Sequence, residues 1–300
     1  IPWLRQILQT AREGSYRGEV TRMKNKKFIL IVLIPIFIHM ILFNVGPIIA
    51  GFGISMMDYN PLRDTNTFVG FSNFKHLLSD PVLLKALINT LVFVGFTVTL
   101  NIAFSLMIAQ LVSMFKSNKI RSFFRMAFFL PCVAPLVASS VVWSRSIYPT
   151  ATGLANMILK FIGVNPVNWL GDPNILMWSI IVFTIWVDIG YNIILFSAGI
   201  DAIPTNFYEA AEMDGASAWH KFRYITLPLL GRTMTFVIIM TLISHFQMFA
   251  QFSVMVLKSG PQNSGLVLTS YIYKMAFELK DMGYASAIAV LLFIIIFIIT

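Results

Sequence analysis

YEAAEMDGASAWHKFRYITLPLL, residues Tyr208–Leu230, stands between two long apolar runs and is unlike either. It carries Glu209, Glu212, Asp214, Lys221 and Arg223 in a chain that is 57% hydrophobic and 12% charged. Its pattern predicts a helix, a turn and a second helix. Asn206 followed three residues later by Glu209 resembles a capping box, and Glu209 and Glu212 fall in early turns, where carboxylates suit the helix dipole. Asp214-Gly215 supplies a left-handed stop. The second helix is expected to begin at Ser217 and to end before Pro228. The small residues Ala210, Ala211, Gly215, Ala216 and Ala218 let another backbone approach closely, while Trp219, Phe222 and Tyr224 are unfavourable in water. An ordinary solvated loop needs neither capped helices nor small faces, so the segment reads as a docking element.

Working outward, the flanking runs decide the fold class. A mean hydropathy of +0.78 exceeds what a soluble core of this length can bury under a polar surface. A helical span takes about 20 apolar residues, and six segments qualify: 28–57, 86–112, 123–144, 174–200, 233–257 and 282–300. The expectation is an all-α membrane protein of six transmembrane helices, one domain over 28–300 that includes the polar hairpin at 204–230. The first run is too long for a signal-peptide core and is expected to stay as a span. The single Cys132 excludes an intrachain disulfide and reads as a small packed side chain.

The basic residues orient the chain. With the N-terminus inside, inner segments hold 14 of the 22 Lys and Arg, so both termini are expected in the cytoplasm. This bias, with anionic lipid, accounts for the net charge of +9 without nucleic acid. Residues 1–27 place Trp3, Leu4, Ile7, Leu8 and Ala11 on one helical face and end in Arg22, Lys24, Lys26 and Lys27, which predicts an interfacial helix. Pro35 and Gly46-Pro47 should bend the first span. Two short surface helices are expected on the outer side, in FVGFSNFKHLL and GLANMILKFIG.

The hairpin also resembles a known family. Glu209-Ala210-Ala211, then Gly215 after three residues, then Ile225-Thr226-Leu227-Pro228 after nine more, resemble the EAA motif of membrane subunits in bacterial ATP-binding-cassette importers. FVGFSNF, LINTLVFV, FFLPCVAPLVASSVVW, GLANMIL and MGYASAIAVLLF extend the resemblance to the carbohydrate, maltose-type branch from about residue 28 onward. Departures are Lys258-Ser259-Gly260-Pro261, where the branch has a second glycine, and Cys132, where it often has an aromatic residue. The resemblance implies a type I importer permease fold in the bacterial inner membrane. It implies pairing with a second, related permease and with two ATPase subunits, and substrate delivery by an extracellular solute-binding protein. Glu209, Ala210, Ala211, Asp214, Gly215, Trp219, Phe222, Leu227 and Pro228 would then form the ATPase joint. ATP and Mg would sit on the ATPase subunits, since the chain has no phosphate-cradling glycine loop and is expected to bind no cofactor itself.

Asp188 is the sole acidic residue in a predicted span, and a carboxylate there must face protein or water. Thr184, Asp188 and Tyr191 recur on one helical stripe, and Ser244, Gln247 and Gln251 are expected to form another. Hydroxyl, amide and carboxylate groups near Phe246 and Phe249 suit a sugar. The alternative is that they hold helices together. His39 and His245 read as packing residues, and no metal spacing or catalytic set is present. Rival readings are a permease for a non-sugar solute and an ion-coupled carrier using Asp188, but a carrier of that kind calls for more than one intramembrane carboxylate.

Overall fold

A computed structural model describes residues 28–63 and 66–300; the helix expected within 1–27 lies outside them. The chain divides into residues 1–54 and 55–300. In the first unit a helix, α1 (Phe28–Ser55), is long and apolar enough to cross a membrane. Its turn widens over Ile41–Val45, where the Gly46 N–H reaches Ile41 O. That is where Pro47, lacking an N–H, disturbs the ladder, so the local distortion falls at the expected Gly46-Pro47 pair.

The second unit opens with an antiparallel pair, β1 (Met57–Asp58) and β2 (Thr67–Phe68), followed by α2 (Ser72–Ser79). Asp80 then caps α3 (Pro81–Ser113), its Oδ1 accepting from Val82 N at 2.8 Å and Leu83 N at 3.2 Å, with Pro81 in the first helical position where its missing N–H is harmless. Next come α4 (Asn118–Val133), α5 (Leu136–Ile147), the surface helix α6 (Leu154–Phe161) and the long α7 (Leu176–Asp201). The hairpin is α8 (Asn206–Met213) and α9 (Ala218–Lys221). After it run α10 (Gly231–Phe246), α11 (Ala250–Met255), α12 (Leu268–Tyr273) and α13 (Met282–Ile299).

Five stretches, α1, α3, α7, α10 with α11, and α13, meet the length and polarity of a span. The span expected at 123–144 differs: α4 and α5 together make it, bent by 90°. The cause is local. Pro131 lies in the last turn of α4, and Ala134 is forced out of the helical region (φ −68, ψ 138) by the ring of Pro135.

The core lies between α3 and α7. Phe93, Ile180, Ile181 and Phe246 are buried there in one cluster with Tyr284 of α13. A second cluster, with Leu106, Ile193, Phe196 and Leu230, continues toward the hairpin. In lipid, removing apolar surface from tails gains little, so small residues and polar contacts decide which helices meet. Gly190 is one such residue: a Cβ there would collide with the backbone of Phe128, so α7 and α4 touch main chain to main chain.

Candidate functional site: the polar hairpin and the interior amide cluster

The hairpin is closed by a glycine turn. Gly215 has φ +74, its N–H bonds to Glu212 O at 3.0 Å, and Ala216 N–H bonds to Ala211 O at 2.8 Å, which together satisfy the last carbonyls of α8. The expected stop at Asp214-Gly215 is present. The expected capping box is not: Thr205 precedes the helix without a side-chain cap and Asn206 is already its first residue. The Pro204-Thr205 turn starts α8 instead, with Tyr208 N–H bonded to Thr205 O at 2.9 Å. Ser217 begins the second arm as expected, accepting from His220 N at 3.3 Å.

Pro228 does not end that arm. The backbone widens over Phe222–Thr226, with Leu227 N–H on Phe222 O, and passes through Leu227–Leu229. A wide turn makes room for a proline ring that a regular helix would exclude. The path then changes only at Leu230 (φ −77, ψ −1) before α10 begins at Gly231.

Two contacts hold the arms together. Tyr208 OH and Thr226 Oγ1 are 2.9 Å apart, and Lys221 Nζ donates to Glu212 Oε1 at 2.6 Å. The Lys221 hydrogen bond, and then its charge, hold the Glu212 carboxyl below its usual range. Glu209 and Asp214 have no ion-pair partner among the described residues and are exposed, as are Ala210 and Gly215. Trp219 is 66% exposed, its ring 5.6 Å from that of Phe222. Ala211, Phe222 and Leu227 are half-buried and Pro228 exposed. Beneath the hairpin a cavity of about 830 Å³ separates it from Leu106, Gln110 and Leu111 of α3 and Ile200 of α7. At its rim Asp201 is held by Arg125 at 2.7 Å and Arg121 at 3.6 Å, which offsets a carboxylate at a helix C-terminus.

The second group lies inside the bundle. Asn192 Nδ2 donates to Asn101 Oδ1 at 2.8 Å and to Thr241 Oγ1 at 3.1 Å, tying α7 to α3 and α10. One turn on, His245 Nδ1 lies 2.8 Å from Thr241 O, and its Nε2 is 3.9 Å from Asp188 Oδ2 without a hydrogen-bond partner. Asp188, half-buried, thus lies on the side of α7 that faces His245 of α10. Thr184 is buried with its Oγ1 unpartnered, whereas Tyr191 is 51% exposed, so the predicted stripe runs from the interior to the outside of the subunit. Ser244, Gln247 and Gln251 do not share a face. The helix ends at Phe246, Gln247 and Ser244 are exposed, and Gln251 is buried on α11 with Nε2 on Met248 Sδ at 2.8 Å.

Asn101, Asn192 and Thr241 lie outside the residues expected from sequence, and His245, expected in packing, sits beside them. The signal was available: an amide in an apolar span needs a partner, and Asn192 lies one helical turn from Asp188 just as His245 does from Thr241. Cys132, half-buried, donates its thiol hydrogen to Val187 O at 2.8 Å.

Residues 101–300 match the family described as binding-protein-dependent transport system inner membrane component. The arabinooligosaccharides transport system permease protein AraP of Bacillus subtilis (strain 168) is 32% identical over 266 residues, covering 89% of this chain and 84% of that protein. The lactose transport system permease protein LacF of Rhizobium radiobacter is 34% identical over 228 residues, 74% of this chain and 75% of that protein. In structure the chain is similar to one in a crystal structure of a bacterial ABC transporter involved in the import of the acidic polysaccharide alginate. The TM-score is 0.82 at 22% identity, over 93% of this chain and 94% of the other, a likeness of fold.

Proposed function

The chain belongs to the family of binding-protein-dependent transport system inner membrane components, and from that premise we propose that it forms one half of a saccharide pathway driven by separate ATPase subunits. Its relatives named for arabinooligosaccharides and lactose support the substrate class. The part-exposed Asp188 carboxylate, 3.9 Å from His245, is the acceptor that the interior offers to sugar hydroxyls. In this reading Thr184, Asp188, Tyr191, Ser244, Gln247 and Gln251 line or flank the pathway. A second permease covers the exposed side of α7, and an extracellular solute-binding protein delivers the cargo. ATP and Mg belong to the ATPase subunits. Both termini lie in the cytoplasm, with 1–27 on the inner membrane surface and 28–300 as the permease domain.

The hairpin carries the coupling half of the proposal. Its two free carboxylates, Glu209 and Asp214, and its exposed Trp219 project from a turn that glycine closes, which fits a cleft with basic groups and an apolar floor. Gly215→Val tests it. No atom lies within 4 Å of a Cβ at Gly215, so steric crowding is absent and the penalty comes from φ +74 alone. A β-branched residue at that angle costs about 1–2 kcal/mol, enough to open the turn while the spans remain inserted. Uptake and ATPase co-purification should both fall at least several-fold. Full uptake by a stably inserted Gly215→Val protein would refute the coupling role.

A further inference from the structure

The connection between α11 and α12 sits at the end of the bundle opposite the hairpin, and its backbone is strained. Lys258, Ser259, Gln262 and Asn263 all have positive φ, at 48°, 69°, 54° and 55°. Non-glycine residues in that region are strained and persist only where the surroundings fix them. Here the surroundings do. Buried Asn89 donates through Nδ2 to Asn263 O at 2.8 Å and Leu266 O at 2.9 Å, and the buried Thr90 hydroxyl accepts from Leu268 N at 2.9 Å. Gly260 and Gly265 are pressed so closely on Leu176 and Val256 that a Cβ at either would collide. The loop is thus a pinned shelf whose shape its own sequence disfavours.

The shelf bounds a cavity of about 410 Å³, within the range of small-molecule sites. Its contents are those of a sugar site. Phe249 and Tyr273 present rings with centroids 5.0 Å apart, an apolar surface for CH faces. Ser253, Ser259 and Ser270 line it, and the Ser270 Oγ is buried without a partner. Lys258 on the shelf and Lys274 after α12 line the same space, with one acidic residue, Glu278. Neither lysine has an ion-pair partner among the described residues.

We propose that this cavity is a second saccharide subsite, separate from the interior amide cluster, and that Lys258 and Lys274 select a sugar unit bearing a carboxylate. The rings hold the unit's apolar face, Ser270 takes a hydroxyl, and the lysines bind the acid group. Glu278 opposes that acid and limits affinity, so the unit can move on. The proposal rests on the saccharide reading above and narrows it to acidic glycans.

The test uses the whole importer in lipid nanodiscs without the binding protein, and two probes of opposite charge state on one backbone: anionic tetragalacturonate and its uncharged methyl ester. Equilibrium dialysis should show the acid binding about fivefold tighter than the ester, the size expected of one or two partly exposed ion pairs. The preference should shrink as salt rises from about 0.01 to 0.3 M. Lys258→Gln with Lys274→Gln should abolish the preference while ester binding holds. Glu278→Gln should tighten the acid further, a shift in the opposite sense that a structural or docking role for these residues would not produce. Equal binding of the two probes, no binding of the acid, or a preference that survives loss of both lysines overturns the proposal. Uptake of neutral oligosaccharides in vesicles with the binding protein separates the two readings. If neutral sugars are carried and acids are not preferred, the acidic subsite alone falls; if no saccharide is carried, the proposed function falls with it.

Discussion

Asp80 shows how much one side chain can organise. Its Oδ1 caps α3, and its Oδ2 accepts from Tyr271 OH at 2.6 Å and Tyr284 OH at 2.7 Å, so it joins the start of α3 to α12 and α13. Burial pushes the carboxyl pKa up, but the two tyrosine hydroxyls and the Leu83 and Val82 amides outweigh that and hold it below its ordinary value. The sign of the consequence follows. A depressed folded-state pKa means the unfolded chain takes up the proton first, so the stabilisation is complete above about pH 4, the usual carboxylate value. It is lost as pH falls through the folded-state pKa. The melting temperature of the solubilised protein, followed by tryptophan fluorescence, should therefore drop on acidification below that point, and Asp80→Asn should flatten the drop. In the sequence, the pair Asp80-Pro81 signals a turn and no more. Its tyrosine partners lie 191 and 204 residues downstream, and a single sequence carries no signal for such pairing.

Among the elements, proline marks the boundary between what the sequence revealed and what it concealed. Apolar length located each span, because the thickness of hydrocarbon imposes it, and helix-stop chemistry located the Gly215 turn. Run length says nothing about a bend, and two prolines that look alike act in opposite ways. Pro135 drives Ala134 into extended geometry and turns α4 away from α5, whereas Pro228 is absorbed by a widened turn. The difference depends on whether neighbouring side chains pin the backbone, which tertiary packing decides. Pro135→Ala should release Ala134 and let α4 lengthen, pulling Cys132 from Val187 O. Losing a hydrogen bond of about 0.5–1.5 kcal/mol implies a roughly two- to tenfold rise in maleimide labelling. Cys132 is the only thiol in the chain, so the readout is unambiguous. An unchanged rate would mean that packing on α7 alone holds the bend.

At the scale of the molecule, three spans meet through Asn101, Asn192 and Thr241, and in lipid such amide contacts do what apolar burial does in water. Asn192→Leu removes both of its bonds and leaves Asn101 unpaired. The expected cost is about 1–2 kcal/mol, read as a lower melting temperature with all spans inserted. A double-mutant cycle with Asn101→Leu should be less than additive, because either change alone already breaks the shared bond.

From Ala218 to Phe246 the chain is helical apart from Leu230, so the arm that bears Trp219 and the helix that bears His245 form nearly one mechanical piece. Thermodynamic linkage then makes the two ends reciprocal. In the proposed reading, with a saccharide beside His245 and an ATPase on the hairpin, whatever ratio the saccharide imposes on the hairpin's affinity for that ATPase, the ATPase must impose on the saccharide. One coupling constant measured at either end of α10 fixes the other. A hairpin variant that halves this constant must, in that reading, move the sugar titration by the same factor from the far end of α10.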